Sequence, residues 1–135
     1  MTPSEAFAAV ALIAVGCDNT LNREEARSLR HQLENRSPYR DLPEDAMGDL
    51  FDRLLTRLRE QGWHELLKQA IAVLSTPQQE TALAMAVHLV LSDRQLDAQE
   101  QQLLQEMASL LRLPQERSQL IIDVIGVLNR DSLAA

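Results

Sequence analysis

A chain of 135 residues and 15.2 kDa is enough for one domain with a sizeable core and too short for two comfortable ones. Hydrophobic residues at 45% exclude a disordered chain, and four Gly with five Pro leave too few turns for an all-β sandwich. Twenty acidic against 13 basic residues, a net charge of -7, exclude a protein built to bind nucleic acid or anionic lipid, since both need a basic footprint.

The first segment, Thr2-Pro3-Ser4-Glu5, carries a cap residue, a Pro at the first helical position and a Glu at the third, and predicts a helix from Pro3 to Gly16. Its body, Ala6 to Cys17, is apolar. No basic segment precedes it and it is shorter than the roughly 20 residues of a bilayer span, so it reads as a buried helix of a cytoplasmic protein rather than a signal or an anchor. Cys17 is the single cysteine, which fits a reducing compartment. Asn22-Arg23-Glu24-Glu25 is a capping box that opens a helix to Asn35. The stretch from Ser37 to Pro43 is the one irregular connection. From Pro43 to Gln61, Met47, Leu50, Phe51, Leu54, Leu55 and Leu58 recur at three and four, and Gly62 ends that helix.

A helix from Trp63 to Leu74 follows. Thr76-Pro77-Gln78-Gln79 reads as another capping box, opening a helix to Ser92, and Asp97-Ala98-Gln99-Glu100 opens one ending near Arg112. Pro114 starts the last, with Leu120, Ile121, Val124, Ile125 and Leu128 expected to face inward. The expectation is an all-α, single-domain bundle over residues 1–135, with about seven helices. Two of them, Ala6 to Val15 and Thr81 to Leu91, are apolar nearly all round and should be central.

Those two segments also align. A shift of 75 residues brings Asp18 onto Asp93, Leu21 onto Leu96, Asn22 onto Asp97 and Glu25 onto Glu100. The chain therefore reads as an internal pseudo-repeat, with units of about 3–35 and 77–112. Asn22 and Asp97 have the chemistry of helix caps, and Glu25 and Glu100 that of the reciprocal box residue. Asp18 and Asp93 end the preceding helices, where a carboxylate opposes the helix dipole at a cost of about 0.3 kcal/mol or more. Capping gives no reason for them. Together the six residues form two oxygen-rich half-sets, Asp18, Asn22, Glu25 and Asp93, Asp97, Glu100, which joined could serve a hard divalent cation such as Ca²⁺. The spacing is not that of an EF-hand: the turn glycine and the twelfth-position Glu are both missing. The plainer reading is two caps under a solvated acidic surface.

The segment Ala14-Val15-Gly16-Cys17-Asp18-Asn19-Thr20-Leu21-Asn22-Arg23-Glu24-Glu25 resembles the first signature of the TerB-like tellurite-resistance domain, Ala-Asp-Gly-x-Ile-x-x-x-Glu. The second copy, from Asp93 to Glu100 and on through Leu110-Leu111-Arg112-Leu113-Pro114, is similar to the family's closing pattern. Asn19 and Arg94 stand where the pattern has Gly, and Arg adopts the left-handed conformation less readily than Asn. The resemblance covers nearly the whole chain. It implies a helical protein of the bacterial cytoplasm that takes part in stress or tellurite resistance through complexes with other proteins, some at the membrane. It also implies a metal-linked role for the acidic residues and no catalytic activity.

Other chemistry is thin. His31, His64 and His88 lack a zinc-ligand spacing, and His88 reads as a hydrogen-bonded core histidine. No phosphate loop, catalytic triad or dinucleotide fingerprint is present. Arg23, Arg27 and Arg30 share one helical face by their spacing of four and three, and mark a candidate surface for an acidic or phosphorylated partner. The favoured function is a non-enzymatic interaction domain; the alternative is a divalent-cation-binding regulator.

Overall fold

Side-chain capping boxes at Thr2, Asn22, Ser75 and Asp97 each open a helix of this chain, whereas Pro43, Gly62 and Pro114 precede helices without a side-chain cap. The computed structural model describes residues 1–16, 21–91 and 97–135. Within them the fold is all-α, with seven helices and no strand among the described residues: α1 Pro3–Gly16, α2 Arg23–Glu34, α3 Glu44–Gln61, α4 Trp63–Val73, α5 Thr76–Leu91, α6 Ala98–Leu110 and α7 Gln115–Leu128. A single 3-10 turn, Tyr39–Asp41, occupies the irregular connection. Thr2 and Glu5 close the box at the start of α1, with Glu5 N–H donating to Thr2 Oγ1 (3.2 Å) and Thr2 N–H to Glu5 Oε1 (3.0 Å). Gly62, at φ 84°, ends α3 and starts α4, a backbone conformation that an L-residue would strain to adopt.

The two apolar helices lie where their composition requires. Along α1, Ala6 and every residue from Ala8 to Ala14 are buried; along α5, Ala82, Leu83, Met85, Ala86, Val87, Leu89 and Val90 are buried. The pair pack on each other. The sides of α1 are then covered by α4, α3 and α2, and those of α5 by α7 and α6. Small residues on both helices bring the backbones together, and Leu12, Ile13, Leu66, Leu67 and Leu83 fill the space between layers.

Two expectations need correction. The box at the start of α5 sits one residue earlier than Thr76: Gln78 N–H donates to Ser75 Oγ (3.3 Å) and Ser75 N–H to Gln78 Oε1 (2.8 Å). That frees Gln79, which is fully buried. Its Nε2 donates to the carbonyls of Ile71 (3.2 Å) and Leu74 (3.0 Å), and its Oε1 accepts from Arg112 N–H (2.8 Å). One amide thus ties the end of α4 and the connection after α6 to α5. Second, the inward face of α7 is misassigned. Ile121, Ile122 and Ile125 pack against the core, but Leu120, Val124 and Leu128 are 51%, 55% and 68% exposed. The reason is that α7 lies at the edge and is covered mainly by α5, so only one of its apolar sides is buried.

Candidate functional site

The two halves of the repeated motif fold alike. Asn22 takes the N-cap conformation (φ -78°, ψ 170°), and so does Asp97 (φ -82°, ψ 174°). Glu25 N–H donates to Asn22 Oδ1 at 2.7 Å, and Asn22 N–H to Glu25 Oε1 at 3.2 Å. Glu100 N–H donates to Asp97 Oδ1 at 2.7 Å, and Asp97 N–H to Glu100 Oε1 at 3.2 Å. Both boxes are therefore complete, because a short oxygen-bearing side chain at the cap and a Glu three residues on satisfy two otherwise orphaned N–H groups. Leu21, before the first cap, packs against the core as a staple residue should. Asp18 and Asp93, with Cys17 and Leu96, lie outside the described residues.

The two motifs also meet. A surface cavity of about 480 Å³ is lined by Ala14 and Val15 at the end of α1, Leu89 of α5, Asn22, Glu24, Glu25 and Ser28, and Glu100 from the second motif. The side-by-side packing of α1 and α5 brings the two box glutamates to one cavity. Asp97 is not among its lining residues, and Glu24, which the repeat does not single out, is. One oxygen of each box glutamate accepts the capping hydrogen bond. Among the described residues, no three His, Cys, Asp or Glu side chains are grouped closely enough to hold a metal ion.

A profile of the tellurite resistance protein TerB family matches residues 4–122. The chain belongs to the TerB family. The match takes in both motifs, α1 from Ser4 onward, all of α2 to α6 and the first half of α7. No curated protein and no solved structure matches the chain.

The arginine face of this TerB chain is divided. Arg23 and Arg27 are exposed and make no ion pair among the described residues. Arg30 is committed: its Nε meets Glu34 Oε1 at 2.8 Å, and its Nη2 donates to the carbonyl of Glu44 (3.2 Å), fastening α2 to the start of α3. His88, at the position equivalent to Ile13, is half-buried and its Nδ1 faces Asn129 Nδ2 at 3.2 Å, so it is hydrogen-bonded as expected but not fully in the core.

A second hollow, of about 450 Å³, was not visible in the motifs. Phe7, Tyr39, Leu74 and Pro77 form its apolar wall, and the Arg36 guanidinium lies over the Phe7 ring, 5.4 Å from its centre. The Tyr39 hydroxyl donates to the Ser4 carbonyl, and burial pushes its pKa up to about 12. The Arg36–Phe7 contact joins residues 29 positions apart, which no local pattern encodes.

Proposed function

We propose that this TerB domain works by contact, as a non-enzymatic interaction module of a bacterial stress or tellurite-resistance system in the cytoplasm. The observation that carries this reading is the pair Arg23 and Arg27, exposed and without an ion pair among the described residues, directly beside the acidic cavity. Two unengaged guanidinium forks next to carboxylates form a patterned charge surface, suited to recognising carboxylates or phosphates on a partner protein. A membrane-bound partner fits this reading without the domain entering the bilayer; among the described residues no helix is long and apolar enough to cross one. The test is a pull-down from the native bacterium with the wild type and with Arg23→Ser/Arg27→Ser. Arg30 is left alone because it holds α2 to α3. Partners lost by the variant support the arginine surface; identical partner sets refute it.

The cavity shared by Glu25 and Glu100 favours a second reading, a cation-binding regulator. Hard cations take about six or more oxygens. Glu24, Glu25, Asn22 and Glu100 would supply part of such a set, and Asp18 with Asp93 the rest. Binding to the folded state must raise the melting temperature as Ca²⁺ is added, and Asp18→Asn/Asp93→Asn must abolish that rise while leaving both capping boxes in place. A wild type that does not respond at millimolar Ca²⁺, Mg²⁺ or Mn²⁺ removes this reading.

A further inference from the structure

The first two turns of α1 and of α5, with the connection that follows α2, surround the hollow of about 450 Å³ that Arg36 borders. Phe7, Tyr39, Leu74 and Pro77 give it an apolar wall, with the Phe7 and Tyr39 ring centres 6.3 Å apart. Among the described residues that line it, Arg36 carries a charge and no carboxylate faces it. The half-buried guanidinium lies over the Phe7 ring, 5.4 Å from its centre, and no hydrogen bond or ion pair engages its N–H groups among the described residues. Contact with a ring uses the face of a guanidinium and leaves the planar N–H edge open.

Other polar groups around the hollow are satisfied within the fold. Thr81 Oγ1 donates to the Pro77 carbonyl (3.2 Å), Gln78 Oε1 accepts from Ser75 N–H (2.8 Å), and the Tyr39 hydroxyl donates to the Ser4 carbonyl. Carboxylates close by in sequence serve other cations: Glu5 pairs with Arg53 (3.6 Å), Glu34 with Arg30 (2.8 Å) and Glu80 with Arg117 (2.5 Å). Two helix starts, which carry partial positive charge, border the same hollow, and the first turn of α5 has no acidic residue to offset it. The hollow thus joins an apolar wall to a cation that the fold gives no anion.

We propose that this hollow binds a small organic acid with an apolar body, its carboxylate on the N–H edge of Arg36 and its hydrocarbon against Phe7, Tyr39, Leu74 and Pro77. The volume falls in the range of roughly 300 to 1,000 Å³ typical of small-molecule sites, and the mix of apolar wall and one convergent charged group is typical too. A single guanidinium fork matches a single carboxylate with two parallel hydrogen bonds. A phosphate monoester, with up to about two charges and three acceptor oxygens, would ask for more donors than one arginine presents. The site is separate from the acidic cavity. Helices α1 and α5 start at this hollow and end at the cavity of Glu25 and Glu100, so the 14 residues of α1 place the two about 20 Å apart. Neither the arginine-surface reading nor the cation reading has to hold for the acid to bind here.

Titration of the full chain with 1-naphthylacetate, followed by nitrogen–proton correlation spectra, tests this. The acid should bind with a Kd of about 0.1 to 1 mM, moving the amide signals of residues 3–7, 36–39 and 74–81 and leaving those of 22–28 in place. The neutral 1-naphthylacetamide keeps the ring system without the charge and should bind about tenfold more weakly, a comparison that needs no variant. Arg36→Gln should weaken the acid about tenfold and leave the amide as it was, which erases the difference between the two. Thr81→Phe, at an exposed position on the rim, should fill the hollow and block both ligands while the helical circular dichroism is retained. No saturable shift by about 5 mM overturns the proposal. So does equal binding of acid and amide to the wild type, an Arg36→Gln variant that weakens both alike, or a Thr81→Phe variant that still binds. Inorganic phosphate binding as tightly as the acid would make this a bare anion site and overturn it as well. Tighter binding of N-acetyl-alanyl-phenylalanine than of 1-naphthylacetate would assign the hollow to the end of a polypeptide instead of a small acid.

Discussion

Gln79→Met keeps the length of the side chain and removes its amide, and the structure gives the cost. Three hydrogen bonds disappear: two donated to the carbonyls of Ile71 and Leu74, and one accepted from Arg112 N–H. The two carbonyls are not orphaned. Ile71 still accepts from Leu74 N–H, and Leu74 from Arg112 Nη2 at 2.6 Å. Only Arg112 N–H is left without its partner. At about 1 kcal/mol for each lost bond, with about 1 more for the stranded donor and a partial offset from the added apolar contact, the variant should be destabilised by about 3 kcal/mol. For a domain of this size that is roughly a 10 °C fall in melting temperature. Urea unfolding followed by circular dichroism measures it, and an unchanged m-value would show that the same surface is exposed on unfolding. Gln78→Met, one residue earlier and exposed, should cost only about 1 kcal/mol as the loss of half a capping box. Equal effects for the two variants, or a Gln79→Met change below about 1 kcal/mol, would refute the assignment of Gln79 as the amide that ties three segments together.

Ala86→Asp places an unpaired carboxylate between α5 and its neighbours and should cost about 3 to 5 kcal/mol in the same assay. Asn22→Ala and Asp97→Ala should each cost about 1 kcal/mol, and their similar geometry predicts similar values. Tyr39→Phe probes the raised phenol pKa. Burial keeps the folded phenol neutral up to about pH 12 while the unfolded chain ionises near pH 10, so the stabilising contribution of Tyr39 is full below pH 10 and lost as pH rises through 12. The gap in stability between wild type and Tyr39→Phe should therefore shrink across that window; a constant gap would contradict it. The hydrogen bonds from Thr2, backbone first, hold the Glu5 carboxyl below its usual range. Glu5→Gln should accordingly remove a part of the acid sensitivity seen as pH falls below about 4.5.

What the sequence by itself determined was whatever is encoded within one turn of chain. The boxes at Thr2, Asn22 and Asp97 were legible because the cap, its glutamate and the N–H groups they satisfy are only three residues apart. The central pair α1 and α5 was legible too, since a helix with no polar side has nowhere to go but inside. The box at Ser75 was read one residue late because Ser75 and Thr76 are equally good caps, and Gln78 and Gln79 equally good partners. Burial of Gln79 against α4 and the backbone of Arg112 chose between them. The tertiary structure alone decided which apolar side of α7 is covered, because α7 has more apolar circumference than one neighbour can bury. It alone divided the arginine face, by setting the Glu44 carbonyl beside Arg30 and, among the described residues, no comparable partner beside Arg23 and Arg27. It also brought Glu25 and Glu100, 75 residues apart, to one cavity, since the distance between two helix starts is fixed by how α1 and α5 pack and not by any spacing along the chain.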